Sequence, residues 1–233
     1  MDKIKYIFFD IYGTLAGFHP TRESIQKKIL QNHKIYLNKT QISLGYKEAD
    51  EFMAYQKKIK PLRMMSNDEK ELFFVKYESK ILEKYNIYKK KSEILKIWLE
   101  ITNEKYKLKI FNDVYRNLEY LKEKNILAAG ITNMESKGNQ LIQNLKLNDH
   151  LEFIVTSKDA DSEKPDPKIF NFCLDKANIL PKNAVIVGDQ IESDILGAVK
   201  AGIKPILIDR YGYYDDFRDC IKISCLDDLK RIF

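Results

Sequence analysis

Cysteine is scarce in this chain: Cys173, Cys220 and Cys225 are the only three, and no two form a CxxC pair. They cannot build a disulfide framework. Cys173 lies in an apolar helical stretch, where a buried thiol is expected. The 9 glycines and 6 prolines are too few for a fibrous or low-complexity chain. Arginine is also sparse, 6 residues against 34 lysines. Nucleic-acid readers lean on Arg forks, and no basic recognition motif is present, so nucleic acid is not an expected partner. No apolar run approaches a membrane span, and the run before Asp10 is four residues long, too short for a signal-peptide core. No membrane partner and a cytoplasmic location are therefore expected. What remains is an ordinary globular composition of 233 residues, 44% hydrophobic and 32% charged, with a net charge of +6. That length suits one domain, or one domain carrying an insertion.

Five short apolar, β-rich runs stand out, at residues 4–9, 126–132, 152–156, 184–188 and 204–209. Helical patterns lie between them. Asp113 is placed to cap a helix with Val114, Leu118 and Leu121 on one face. Asp166 followed by Pro167 is a cap with proline at the first helical position. A helix over about 193–201 should stop at Gly202 in a left-handed turn. Strands alternating with helices predict an α/β fold, with a Rossmann-like parallel sheet covered on both faces.

Residues 17–107 read differently. Four helical patterns, at about 21–33, 40–58, 67–85 and 91–105, follow one another with no convincing strand. The expected organisation is an α/β core of residues 1–16 and 108–233, interrupted by an all-helical domain at 17–107. Charge follows the same division. The inserted segment has 20 basic and 12 acidic residues, a net of +8, and the remainder has a net of −2. A basic lid would favour a small anionic substrate by electrostatic focusing. A lysine-coated solvated surface would give the same count.

Ligands of an open parallel sheet sit at the carboxyl ends of its strands. Asp10 follows the first run, and Thr132 and Asn133 end the second. Lys164 comes shortly after the third. Gly188 and Asp189 end the fourth, with Asp194 five residues on. Singly these mean little: Thr132 could cap a helix, Lys164 could be solvated, and Asp194 could begin a helix. Together, two carboxylates, a hydroxyl and a lysine at four strand ends are a constellation.

The set resembles the haloacid dehalogenase (HAD) superfamily of hydrolases. Its first motif is similar to Tyr6-Ile7-Phe8-Phe9-Asp10-Ile11-Tyr12-Gly13-Thr14-Leu15, and its second to Gly130-Ile131-Thr132-Asn133. Its third is similar to Lys164-Pro165-Asp166-Pro167, and its fourth to the stretch from Val185 through Gly188-Asp189 to Asp194. The inserted helices resemble that superfamily's helical C1-type cap. The resemblance implies Asp10 as a nucleophile forming a covalent aspartyl intermediate. It implies Mg²⁺ held by Asp10, Asp189 and the backbone carbonyl of Tyr12, with Asp194 a further ligand or supporting partner. It implies Thr132 and Asn133 as substrate contacts and Lys164 as the cation balancing nucleophile and phosphoryl group. Arg63, in a cap loop, is a candidate substrate contact. Trp98 reads as cap core, and His19 as a surface-loop residue.

Tyr12 departs from the phosphatase pattern, which has Asp there as general acid and base. Such catalysis is typically worth about 10² to 10⁴ in rate. Tyr at this position resembles the 2-haloacid dehalogenase branch, whose halide leaves without a proton. The Gly188-Asp189 form resembles the metal-binding phosphatases instead. The expected function is a Mg²⁺-dependent phosphatase of a small phosphorylated metabolite. The alternatives are a metal-independent 2-haloacid dehalogenase and a degenerate member that binds or regulates without turnover.

Overall fold

The computed structural model describes residues 3–233, with the side chains of Lys57, Lys58 and Arg63 outside the described set. In chain order the elements are β1 (Tyr6–Phe9), β2 (Ala16–His19), α1 (Arg22–Asn32), α2 (Lys39–Ile59), α3 (Asn67–Glu83) and α4 (Lys91–Asn103). Then come β3 (Lys107–Ile110), α5 (Val114–Glu123), β4 (Leu127–Thr132), α6 (Gly138–Asn144), β5 (Ile154–Thr156), α7 (Ser157–Ala160) and α8 (Pro167–Ala177). The chain ends with β6 (Ala184–Gly188), α9 (Leu196–Lys200), β7 (Lys204–Ile208) and β8 (Ile221–Ile223). Two compact units result: Met1–Gly17 with Leu108–Phe233, and Phe18–Lys107.

The first unit is built on a six-stranded sheet in the order β5-β4-β1-β6-β7-β8. Every neighbouring pair is parallel. Strand β1 sits inside it because alternate side chains bury on opposite faces. Ile7 and Phe9 join Val185, Val187 and Leu118 in one core layer. Tyr6 and Phe8 join Ile186, Phe170 and Cys173 in the other. Each fully buried large apolar side chain contributes about 1.5–3 kcal/mol. This is the α/β, Rossmann-like arrangement that the alternating runs predict.

Local signals set the helix ends. Asp166 accepts a bond from the Lys168 N–H at 2.9 Å, and Pro167 begins α8. Gly202, at φ +73°, turns the chain after α9. Asp113 is different from expectation. It makes no capping bond, and its carboxylate is drawn away to Arg210 and the Leu226 N–H. Ion pairing with a guanidinium outweighs one exposed cap bond.

The second unit is helical. Asn38 with Gln41, and Ser66 with Glu69, form reciprocal capping boxes that start α2 and α3. Ile25, Ile29, Ile42, Ile81, Leu82, Ile94 and Ile97, spaced at helical intervals, share one core. Trp98 is half-buried and stacks on Phe74 at 5.1 Å. His19 is exposed.

Three strands were not legible from composition. β2 and β3 pair in a small two-stranded sheet around the points where the chain changes unit. β8 adds an edge beside β7. Each is three or four residues long, below the length at which alternation stands out from chance.

Candidate active site

β1 lies between β4 and β6, so chain connections leave it in opposite directions. The crevice at the carboxyl ends of these strands is where an open α/β sheet binds ligands. Asp10 follows β1 directly, and its backbone N–H bonds the Val187 carbonyl at 2.9 Å. Its side chain is buried.

Lys164 reaches the same place from the loop before α8. Its Nζ donates to Asp10 Oδ1 at 2.6 Å, Asp194 Oδ1 at 2.6 Å and the Ile131 carbonyl at 3.3 Å. The lysine side chain is only 2% exposed. Burying an ammonium is costly unless it is paired and fully hydrogen-bonded, and here all three protons have acceptors. Burial alone would lower the Lys164 pKa, but Asp10 and Asp194 overcome it and raise it. Asp10 is raised as well, which for a carboxylate favours the neutral form. Burial pushes it up to about 6, with Asp194 adding repulsion and Lys164 opposing both.

Asn133 positions this lysine. Its Oδ1 accepts from the Lys164 N–H at 2.7 Å, and its Nδ2 donates to the Lys164 carbonyl at 2.9 Å. Both ends of the amide are thus engaged on one backbone residue. Thr132, buried, ends β4 next to the Ile131 carbonyl that Lys164 uses.

Asp194 is carried by one turn of π-helix, Ile191–Ile195. Its Oδ2 accepts the Gln190 N–H at 3.0 Å while Oδ1 takes Lys164. Gly188 makes room for it: a Cβ there would lie 2.4 Å from the Asp194 carboxyl carbon. Gly13 does the same for Asp189. It sits at φ +92°, and a Cβ would come within 2.2 Å of Asp189 Oδ2.

Asp10, Asp189 and Asp194 each offer a carboxylate oxygen, and these lie within 4.8 Å of one another. Three carboxylates around one ammonium leave an excess of negative charge in a largely buried place. An all-oxygen donor set suits a hard divalent cation, and the glycine cradle leaves Asp189 its space. The residues therefore fit a metal of that kind.

Tyr12 is half-buried, in a tight loop where the Leu15 and Ala16 N–H groups both bond the Ile11 carbonyl, at 3.0 and 2.8 Å. The Arg63 side chain lies outside the described residues. Asn133 as the clamp of Lys164 was missed by sequence reasoning, because side-chain bonding to a residue 31 positions away leaves no local signal.

Two carboxylates and a lysine thus converge at adjoining strand ends of a parallel sheet. The chain belongs to the haloacid dehalogenase-like hydrolase family, whose model matches residues 7–208. It is 40% identical over 73 residues to a glyceraldehyde 3-phosphate phosphatase of Pyrococcus furiosus, covering 31% of this chain and 30% of that one. The curated relatives are matched over half their length or less. Among solved structures, the HAD-hydrolase YfnB of Bacillus subtilis, bound to magnesium, aligns with a TM-score of 0.64 at 17% identity over 99% of both chains. A 2-haloacid dehalogenase of Pseudomonas syringae aligns at 0.56 with 22% identity, over 98% of this chain and 97% of that one. The fold is thus common to phosphatases and dehalogenases. Among the described residues no helix is long and apolar enough to cross a membrane.

Proposed function

We propose that this hydrolase is a Mg²⁺-dependent phosphatase of a small phosphorylated metabolite. The observation that carries the reading is the convergence of Asp10, Asp189 and Asp194 around a charged, buried Lys164. Asp10, Asp189 and the Tyr12 carbonyl would hold the metal, with Asp194 supporting it. Bound there, Mg²⁺ supplies the positive charge that lets an anionic carboxylate meet an anionic phosphate. The phosphatase names of the partially matched relatives support the same class of substrate.

In this reading the Asp10 carboxylate attacks phosphorus, and the substrate oxygen departs with its bonding electrons. Water then hydrolyses the aspartyl phosphate, releasing inorganic phosphate and restoring the carboxylate. Lys164 balances charge on Asp10 and on the phosphoryl oxygens. The Thr132 hydroxyl donates to one of those oxygens, and Asn133 holds Lys164 in register. The helical unit acts as a cap whose net charge of +8 favours anionic substrates, with Arg63 a candidate contact.

Tyr12 shapes the choice of substrate. A phenol with an ordinary pKa of about 10 is a poor base at neutral pH. Leaving groups that need little protonation, such as those of acyl and aryl phosphates, suit this site best. The same residue is the one feature favouring dehalogenation as a second reading, and Asp189 is the feature against it.

The test is release of phosphate from acetyl phosphate and p-nitrophenyl phosphate, and of halide from 2-chloropropionate, each with Mg²⁺ or EDTA. Phosphate release that disappears with EDTA and returns with Mg²⁺ is expected. Asp10→Asn should abolish it. Halide release indifferent to EDTA, with no phosphate release, would overturn the reading. Ligand binding without any turnover would favour a regulatory member instead.

A further inference from the structure

Arg210 lies two residues beyond the end of β7. Its side chain is only 12% exposed, and it donates to two targets. Nη1 and Nη2 form a bidentate pair with Asp113, at 2.9 and 3.1 Å. Nη2 and Nε also donate to the Thr14 carbonyl, at 2.8 and 3.3 Å. Its flat face lies over the Phe111 ring, 4.3 Å from the centroid.

These partners matter because of where they sit. Thr14 belongs to the tight loop that carries Asp10 and Tyr12. The Phe111 N–H bonds the Leu15 carbonyl at 3.0 Å, and the Phe111 ring lies so close to Gly17 that a Cβ would be 2.9 Å from it. Asp113, itself buried, also accepts the Leu226 N–H at 2.9 Å. One arginine therefore joins the nucleophile loop, the segment returning from the helical unit and the C-terminal segment. A buried Arg–carboxylate pair is seldom a net gain in stability over apolar packing. A fork that also grips a loop carbonyl gives geometry, which a point charge cannot supply.

We propose that Arg210 is a positioning residue: through the Thr14 carbonyl it holds the Asp10–Tyr12 loop in its reactive geometry, with Asp113 as its orienting partner. Its effect on turnover rests on the phosphatase reading, but its effect on the loop does not. Misplacing a reacting group by about 1 Å can cost on the order of 100-fold in rate.

The experiment uses the full chain as wild type, Arg210→Ala, Arg210→Lys and Arg116→Ala. Arg116 is the control, since it forms a comparable pair with Asp227, half-exposed on the surface, and makes its bonds to that carboxylate rather than to Thr14. With p-nitrophenyl phosphate and Mg²⁺, Arg210→Ala should lose about 10- to 100-fold in kcat with KM within about 3-fold. Arg210→Lys should not restore it, added guanidinium should partly rescue the alanine variant, and Arg116→Ala should match wild type. Hydrogen exchange read by mass spectrometry should accelerate over residues 11–17 in Arg210→Ala and not in Arg116→Ala. Unchanged exchange there in folded Arg210→Ala overturns the proposal. So does wild-type kcat in that variant. If wild type itself releases no phosphate, the phosphatase reading fails, and the exchange result alone decides the role of Arg210.

Discussion

In the proposed reading, Tyr12 is the residue on which the chemistry of this site turns. Lys164 is already fixed by Asp10, Asp194 and the Ile131 carbonyl. A phenol can donate a proton but is protonated at neutral pH and so cannot readily activate water. Tyr12→Asp should raise turnover of an alkyl phosphate such as glycerol 3-phosphate by about 10-fold or more, with a smaller gain on acetyl phosphate. Comparing the two rates checks it, and an equal or lower rate on the alkyl ester in a folded variant would count against this reading. Asn133 shows the other side of the residue scale. Its type and position were visible, but its engagement with the Lys164 backbone needed the folded loop.

At the scale of elements, two glycines and a π-turn make the carboxylate group possible. Gly13 takes φ +92° and leaves its Cβ space to Asp189, and Gly188 leaves its own to Asp194. Gly13→Ala meets both a strained backbone and a clash with a carboxylate. It should abolish Mg²⁺-dependent phosphate release and weaken Mg²⁺ binding measured by calorimetry, while far-UV circular dichroism stays that of wild type. Asp166→Ala removes only the cap of α8, whose Lys168 N–H would lose its acceptor. A loss of about 1 kcal/mol in urea unfolding is expected, with kcat little changed. The Gly13 position was legible as part of a motif. The strands β2, β3 and β8 were not, because three or four residues hold too little periodicity to be read without their neighbours.

At the scale of the whole molecule, composition and burial separate the two units. The helical unit holds the basic excess, yet inside it lies an acid. Glu78 is buried, and Gln26 Nε2 donates to its Oε1, while the Tyr46 hydroxyl donates to Gln26 Oε1 at 2.9 Å. Burial pushes Glu78 up from 4.5 to about 7, and the Gln26 bond opposes this only in part. The folded state thus favours the neutral acid. The stabilisation is complete below the unfolded value and is lost as pH rises through about 7. At about 1.4 kcal/mol per pH unit, the loss is on the order of 3 kcal/mol. Wild type should unfold at lower urea at pH 8 than at pH 5, and Glu78→Gln should flatten that difference. An unchanged pH dependence in the variant would show that another group is responsible.

The sequence by itself determined the alternation of buried strands and helices, the inserted helical segment and the chemical types at the strand ends. Those features are local: a strand run, an Asp-Pro cap or a glycine after a helix acts on its immediate neighbours. Only the tertiary structure decided which of those polar groups meet. Lys164 joins Asp10 across 154 positions, and Arg210 joins Asp113 across 97, turning an expected helix cap into half of a buried clamp. Such pairings depend on sheet order and on the cost of burying charge without a partner, and neither is written in any short stretch of chain.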